Sequence, residues 1–193
     1  MSGGGTNILP RDCFAACRLS GFCGWVQQET PRATCEHSQL PMIVGMTDTV
    51  PTARVTRSFD LPVGRLFDAW LDTGLLSRWM FGPNVREEQI VRLSNDPREG
   101  GTFSFVVRRQ ANEIDHIGVY REIFRPHRLV FTWAAVQAGK SDGESVVVLD
   151  FKPLDLGSEL RLAHELPAQW ANFTEQSIQA WTRMLDTLAK HVT

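Results

Sequence analysis

Cys13, Cys17, Cys23 and Cys35 are the only cysteines in the chain, and His37 follows them closely. Thiolates and an imidazole at such short separations could hold zinc. A closed tetrahedral site usually draws on two short Cys or His pairs carried on tight turns. Here only Cys13 and Cys17 form a short pair, and the remaining intervals are irregular. A Cys-x-x-Cys redox pair is absent as well. The reading that follows is four reduced thiols on an unpatterned arm, with no metal site and no disulfide in a reducing compartment.

The other groups able to do chemistry lie further along. His164 stands in phase with Leu160 and Leu162, so it points inward from a strand. An imidazole there could move a proton or polarise a carbonyl. The simpler reading is a hydrogen-bonded histidine at the edge of a cavity, because no nucleophile or orienting carboxylate is identifiable beside it. Tyr120, the one tyrosine, could donate to a ligand oxygen or to a structural partner. Glu122 and Asp150 sit on strands among apolar residues, where a carboxylate could be catalytic. Solvent-facing alternation explains Glu122 more simply. Asp115-His116 reads as a solvated pair at a loop or strand edge. Gly100-Gly101 lacks the frame of a phosphate loop and reads as a turn opening a strand. Arg108-Arg109 is too small a charge cluster for nucleic acid. The chain carries no His-Glu-x-x-His, Gly-x-Ser-x-Gly or Gly-x-Gly-x-x-Gly motif, which lowers the expectation of a zinc hydrolase, serine hydrolase or dinucleotide enzyme.

The elements that must carry these residues follow from periodicity. Residues 53–59 alternate as a first strand, with Val55 and Phe59 on one face. Asp60 is a candidate N-cap and Pro62 suits the first turn of a helix carrying Val63, Leu66, Phe67, Trp70 and Leu71. Thr73-Gly74 is expected to break it. Leu75, Leu76, Trp79 and Met80 make a second short helix that Gly82-Pro83 stops. Six strands follow, at 87–93, 102–107, 117–124, 129–134, 146–151 and 159–165, joined by polar turns. In the first of these, Gln89, Val91 and Leu93 share a face. Residues 137–143 read as a polar loop. Trp170, Phe173, Ser177, Trp181, Met184, Leu185, Leu188 and Val192 then form one helical stripe in which Ser177 is a small polar gap, with Pro167 at or before its start. This terminal helix of roughly 22 residues spans about 33 Å, enough to cross a sheet. The class is α+β: a curved antiparallel sheet in meander order, packed on the terminal helix.

Composition agrees with a globular domain. The chain has 193 residues, 42% hydrophobic and 22% charged. Such a length can bury a core without disulfide or metal staples. With 20 Lys+Arg against 22 Asp+Glu, the net charge of −2 gives no broad footprint for nucleic acid or an anionic membrane. No apolar run reaches a spanning length and the start lacks a signal-peptide pattern, so a cytoplasmic protein without membrane insertion is expected. Residues 1–45 hold all the cysteines, a glycine run and three prolines but no sustained period. They read as a disordered extension, or as a misassigned start ahead of Met46, and residues 46–193 as the folded domain.

The residues from about 53 to 191 resemble the START-like (SRPBCC) superfamily, and within it the branch named after the C-terminal domain of the activator of the ninety-kilodalton heat-shock chaperone's ATPase. The resemblance rests on Phe67-Asp68-Ala69-Trp70 with Leu75 and Arg78-Trp79, and on Pro97-Arg98-Glu99-Gly100-Gly101-Thr102-Phe103. It continues in Gly118-Val119-Tyr120-Arg121-Glu122-Ile123 and in Pro126-His127-Arg128-Leu129-Val130-Phe131-Thr132-Trp133. Leu160-Arg161-Leu162-Ala163-His164 and Trp181 with Met184, Leu185 and Leu188 complete it, in the family's order. Two positions depart from the pattern: Glu99 separates Arg98 from the glycine pair, and Ala180 stands where glycine often precedes the helix tryptophan. The resemblance implies the helix-grip fold and a cavity between the long helix and the concave sheet. Residues 1–45 have no counterpart.

Three functions are compatible with that fold. The first is binding of a small hydrophobic or amphipathic molecule in a cavity of several hundred Å3. Its candidate walls are Trp79, Phe81, Phe103, Phe105, Tyr120, Trp133, His164, Trp170, Phe173 and Trp181. Any one of these large side chains could instead simply fill the core. The second is a co-chaperone-like domain that binds a heat-shock chaperone and stimulates its ATPase, using an outer surface over a filled interior. The third is a cyclase or hydrolase-like enzyme using His164 or a buried carboxylate in the same cavity. Ligand binding is the favoured reading, with no cofactor, as a monomer or as a homodimer formed through an exposed edge strand.

Overall fold

Pro62 opens the first helix, α1 (Val63–Asp68), because its ring fixes φ near the helical value, here −57°. No side chain caps this helix, so Asp60 does not take the expected role. The computed structural model describes residues 50–141 and 143–192. The expectations for residues 1–45, with their cysteines and His37, lie outside the described residues. Before α1 runs strand β1 (Thr52–Phe59). After it, α2 (Thr73–Trp79) is capped by Asp72, whose carboxylate accepts from the Leu75 N–H at 2.8 Å. Thr73-Gly74 therefore opens the second helix instead of ending the first. Gly82, at φ +86°, turns the chain away from α2 in a conformation that a side chain would strain.

The strands that follow are β2 (Gln89–Asn95), β3 (Thr102–Arg109), β4 (Asn112–Phe124), β5 (Arg128–Gln137), β6 (Lys140–Ser141), β7 (Ser145–Pro153) and β8 (Ser158–Glu165). They form one open antiparallel sheet in the order β1-β8-β7-β5-β4-β3-β2, with the two-residue β6 paired to β5 inside the expected polar loop. Strand β4 begins five residues earlier than its apolar run at 117–124 indicates. Its register also shifts between Tyr120 and Glu122, one of two irregularities in the sheet.

The second irregularity lies in β2 and corrects a face assignment. Ile90 pairs with Val107 and Arg92 with Val106, so Val91 is an extra residue without an opposite number. Such a bulge inverts the alternation beyond it. Ile90 and Leu93 pack on the core, while Val91 is 43% exposed.

The turn from β2 to β3 depends on its glycines. Gly100 has φ +76°, and a Cβ on Gly101 would lie 2.1 Å from the Asp96 carbonyl oxygen. Beyond β8 the chain enters a 3-10 segment, Ala168–Phe173, started by Pro167, before the long helix α3 (Thr174–His191). The terminal helix is thus 18 α-helical residues preceded by a tighter turn, which carries Trp170 and Phe173.

The core lies between the concave face of the sheet and the helices. Phe103, Phe105 and Val107 from β3, Leu129 and Phe131 from β5, Val147, Leu149 and Phe151 from β7, and Leu160 and Leu162 from β8 are all buried. Trp181, Met184, Leu185 and Leu188 of α3 close against them. This is the helix-grip arrangement, two short helices early and one long helix last. Among the described residues, no helix is long and apolar enough to cross a membrane.

Candidate ligand-binding site

Ser177, Ala180, Trp181 and Met184 recur at helical spacing on α3 and form one wall of a cavity of about 160 Å3. The chain leaving α2 supplies Met80, Phe81 and Arg86, and the sheet supplies His116, Trp133 and His164. Small side chains at Ser177 and Ala180 leave the space that larger ones would fill.

Of the ten side chains singled out from the sequence, Phe81, Trp133, His164 and Trp181 line this cavity. Trp79 is fully buried, donates from Nε1 to the Ala69 carbonyl at 3.0 Å, and packs edge-on against Trp70. Phe103 lies 4.7 Å from Phe105, ring to ring, and contacts Tyr120 and Phe131. These residues fill the part of the concavity that a larger void would need, so the cavity is smaller than the several hundred Å3 expected. Trp170 and Phe173 are half-buried on the 3-10 segment and do not line it.

His164 is held by a directed chain of hydrogen bonds. The Trp181 indole N–H donates to Nδ1 at 3.1 Å. An indole nitrogen only donates, so Nδ1 accepts and the proton of the neutral ring sits on Nε2. That Nε2–H reaches Ser145 Oγ at 2.8 Å, and the Ser145 hydroxyl donates to the Trp133 carbonyl at 2.8 Å. Burial pushes the His164 imidazole down to about 4. Both ring nitrogens are occupied, so His164 orients Trp181 and the β5–β7–β8 junction and has no free nitrogen for proton transfer.

The remaining polar candidates resolve similarly. The Tyr120 hydroxyl donates to Asn95 Oδ1 at 2.9 Å, and burial raises its pKa. Glu122 and Asp150 both pair with Arg128 on the solvent side of the sheet. Neither faces the cavity.

Two further polar residues, His116 and Arg86, line the cavity, with Glu88 and Arg109 behind them. His116, which the sequence reading placed in a solvated pair, is 7% exposed on β4 and stacks on Trp133 at 5.1 Å. It lies in phase with Gly118 and Tyr120, and that alternation, followed backwards, was the signal for it. Its partner Asp115 takes the Ser104 hydroxyl at 2.9 Å. Glu88 has a fully enclosed side chain that accepts from the Gly82 N–H at 2.9 Å and from Arg109 Nε at 2.7 Å. Arg109 also approaches His116 Nε2 at 3.3 Å. Arg86 comes from an unpatterned segment, and nothing in its spacing marks it. Burial, together with Arg109 and Arg183, lowers the Arg86 pKa, and Glu88 opposes this. Among the described residues, no cluster of His, Cys, Asp and Glu could hold a metal ion.

The fold recurs in solved structures. Protein CV1439 from Chromobacterium violaceum is 23% identical, with a TM-score of 0.61 over 74% of this chain and 96% of that one. A protein from Rhizobium leguminosarum is 19% identical, with a TM-score of 0.64 over 73% and 93%. Protein Ms6760 from Mycobacterium smegmatis is 17% identical, with a TM-score of 0.60 over 75% and 91%. At these identities the likeness is one of fold. No curated protein matches the sequence. The family profile described as activator of Hsp90 ATPase homolog 1-like protein matches residues 60–193, and on that match the chain belongs to this family, within the START-like superfamily.

Proposed function

We propose that the protein is a cytoplasmic binding protein for a small hydrophobic or amphipathic molecule, held between α3 and the concave face of the sheet. The observation that carries this reading is the cavity itself. It is walled by aromatic and thioether side chains with a few polar groups, Arg86, His116, His164 and Ser177, the composition of small-molecule sites. Family membership supports the reading, since the fold accommodates ligands in this region. The engaged nitrogens of His164 and the outward carboxylates Glu122 and Asp150 weigh against an enzyme built on those groups.

The test is native mass spectrometry of the full chain, purified from its own host and compared under denaturing conditions. A discrete extra mass, lost on denaturation and absent from Ala180→Phe, is the expected result. A bare chain in both forms would count against ligand binding. It would favour the second reading, a partner-binding domain acting on a heat-shock chaperone ATPase. The family's name and the extensive aromatic filling of the concavity are the observations behind that alternative. Pull-down of the chaperone and an ATPase assay would then decide it.

A further inference from the structure

Two polar features stand at the cavity wall, and one of them calls for more than an apolar occupant. The first is charge. Arg86, Arg109 and Arg183 all act on this region, and Glu88 is the carboxylate set among them. That carboxylate is already engaged, with Gly82 N–H on one oxygen and Arg109 Nε on the other. Arg86 comes only to 3.8 Å of it, longer than a hydrogen bond. The Arg86 guanidinium, two-thirds enclosed and on the cavity wall, thus carries a charge that Glu88 does not bind directly.

The second feature is an orphaned donor. Arg109 Nη2 lies 3.3 Å from His116 Nε2, and a guanidinium can only donate. Nε2 is therefore the acceptor, and the proton of the neutral ring is on Nδ1. Burial first, then Arg109 and Arg86, push this imidazole down to about 3, which keeps it neutral. Nδ1 is buried and has no hydrogen-bond partner. A buried N–H without an acceptor is unusual enough to require a reason. That N–H has no surface open to the cavity, so of the two groups only the Arg86 guanidinium can meet an acceptor there.

Size limits what brings that acceptor. An apolar cavity of about 150 Å3 accommodates one benzene ring, and this one measures about 160 Å3. Phe81, Trp133 and Trp181 offer aromatic surface suited to such a ring.

We infer that the occupant is a single-ring aromatic monocarboxylate, with its ring against Phe81, Trp133 and Trp181 and its carboxylate taken by the Arg86 guanidinium. This rests on the ligand-binding reading and gives it a chemical class. Glu88 is already hydrogen-bonded to Gly82 and Arg109 and meets Arg86 only at 3.8 Å, so one further negative charge is matched there, and a planar fork of donors suits a carboxylate.

The probes are benzoate and benzamide, alike in ring and outline but different in charge. Each is titrated into the full chain at neutral pH and low salt, read by the fluorescence of the cavity tryptophans. Benzoate is expected to bind at least ten-fold more tightly than benzamide. Arg86→Met is expected to abolish the preference, bringing benzoate down to the level at which benzamide binds the same variant. This variant keeps Glu88 paired with Gly82 and Arg109, and its thermal melt confirms folding. Arg92→Met, which removes an exposed arginine hydrogen-bonded to Ser104, should keep the ten-fold preference. Equal binding of the two probes to the native chain, or a preference that survives Arg86→Met, overturns the carboxylate inference and leaves ligand binding standing. If neither probe binds while native mass spectrometry finds another ligand, the inference fails alone; if there is no ligand by either route, both fail.

Discussion

His164 shows how one side chain can look catalytic in sequence and be structural in space. Its phase with Leu160 and Leu162 correctly gives an inward imidazole. The partners on its two nitrogens come from α3 and β7, and no local pattern could have named them. Trp181→Phe removes the donor to Nδ1 and leaves a buried acceptor unsatisfied, at a cost of about 1–3 kcal/mol. Urea unfolding measures this as a lower midpoint with an unchanged slope. His116 and His164 also make stability depend on pH. In the unfolded chain a histidine takes a proton near 6.5, whereas burial holds the folded rings to about 3 and about 4. Between those values the unfolded state binds more protons, so stability rises with pH and is lost as pH falls below about 6.5. Each ring contributes a slope of up to about 1.4 kcal/mol per pH unit. Urea midpoints between pH 7 and pH 5 should show this fall, and His116→Gln should make it shallower. An unchanged slope in that variant would contradict the buried, neutral assignment of His116.

At the scale of elements, periodicity located every strand except β6 and went wrong where registers shift. The bulge at Val91 carries Ile90 and Leu93 inward, an outcome that strict alternation from Gln89 inverts. The start of β4 is hidden because Asn112, Glu113 and Asp115 are polar, and His116 is hidden with it, although Glu113 and Asp115 alternate onto the opposite face. At Thr73-Gly74 the residue types indicated a stop, but the Asp72 cap made them a start. Close packing of β4 on its neighbours gives a sharp prediction. A Cβ on Gly118 would lie 1.9 Å from the Thr132 carbonyl oxygen and 2.4 Å from the Phe103 ring. The backbone atom cannot yield without disturbing the β4–β5 ladder. Gly118→Ala should therefore cost more than about 3 kcal/mol, or prevent folding, as read by circular dichroism and thermal melting.

For the whole molecule, the class, the meander of the six long strands after α2 and the terminal helix followed from the sequence because alternation and the 3.6-residue stripe are strong over long segments; the pairing of β1 with β8, far apart in the chain, did not. The size of the cavity did not follow. It is set by how Trp70, Trp79, Phe103, Phe105, Tyr120 and Phe131 share one concavity, and this depends on rings from four different elements meeting. What stays open lies where α3 presents Ser177 and Ala180. Ala180→Leu should place a larger side chain in that space, changing stability by no more than about 3 kcal/mol while abolishing ligand binding. A thermal melt and the benzoate titration check the two halves of this expectation. The most direct test of the central claim is nitrogen-edited NMR of the full chain during titration with a set of single-ring aromatic acids, amides and alcohols. The account predicts saturable shifts in the indole N–H signals of Trp133 and Trp181 and in Arg86, with Arg121 and Arg128 on the outer side unmoved. Titration that leaves those cavity signals in place with every probe, or that moves only the outer residues, would contradict a site for single-ring ligands between α3 and the sheet.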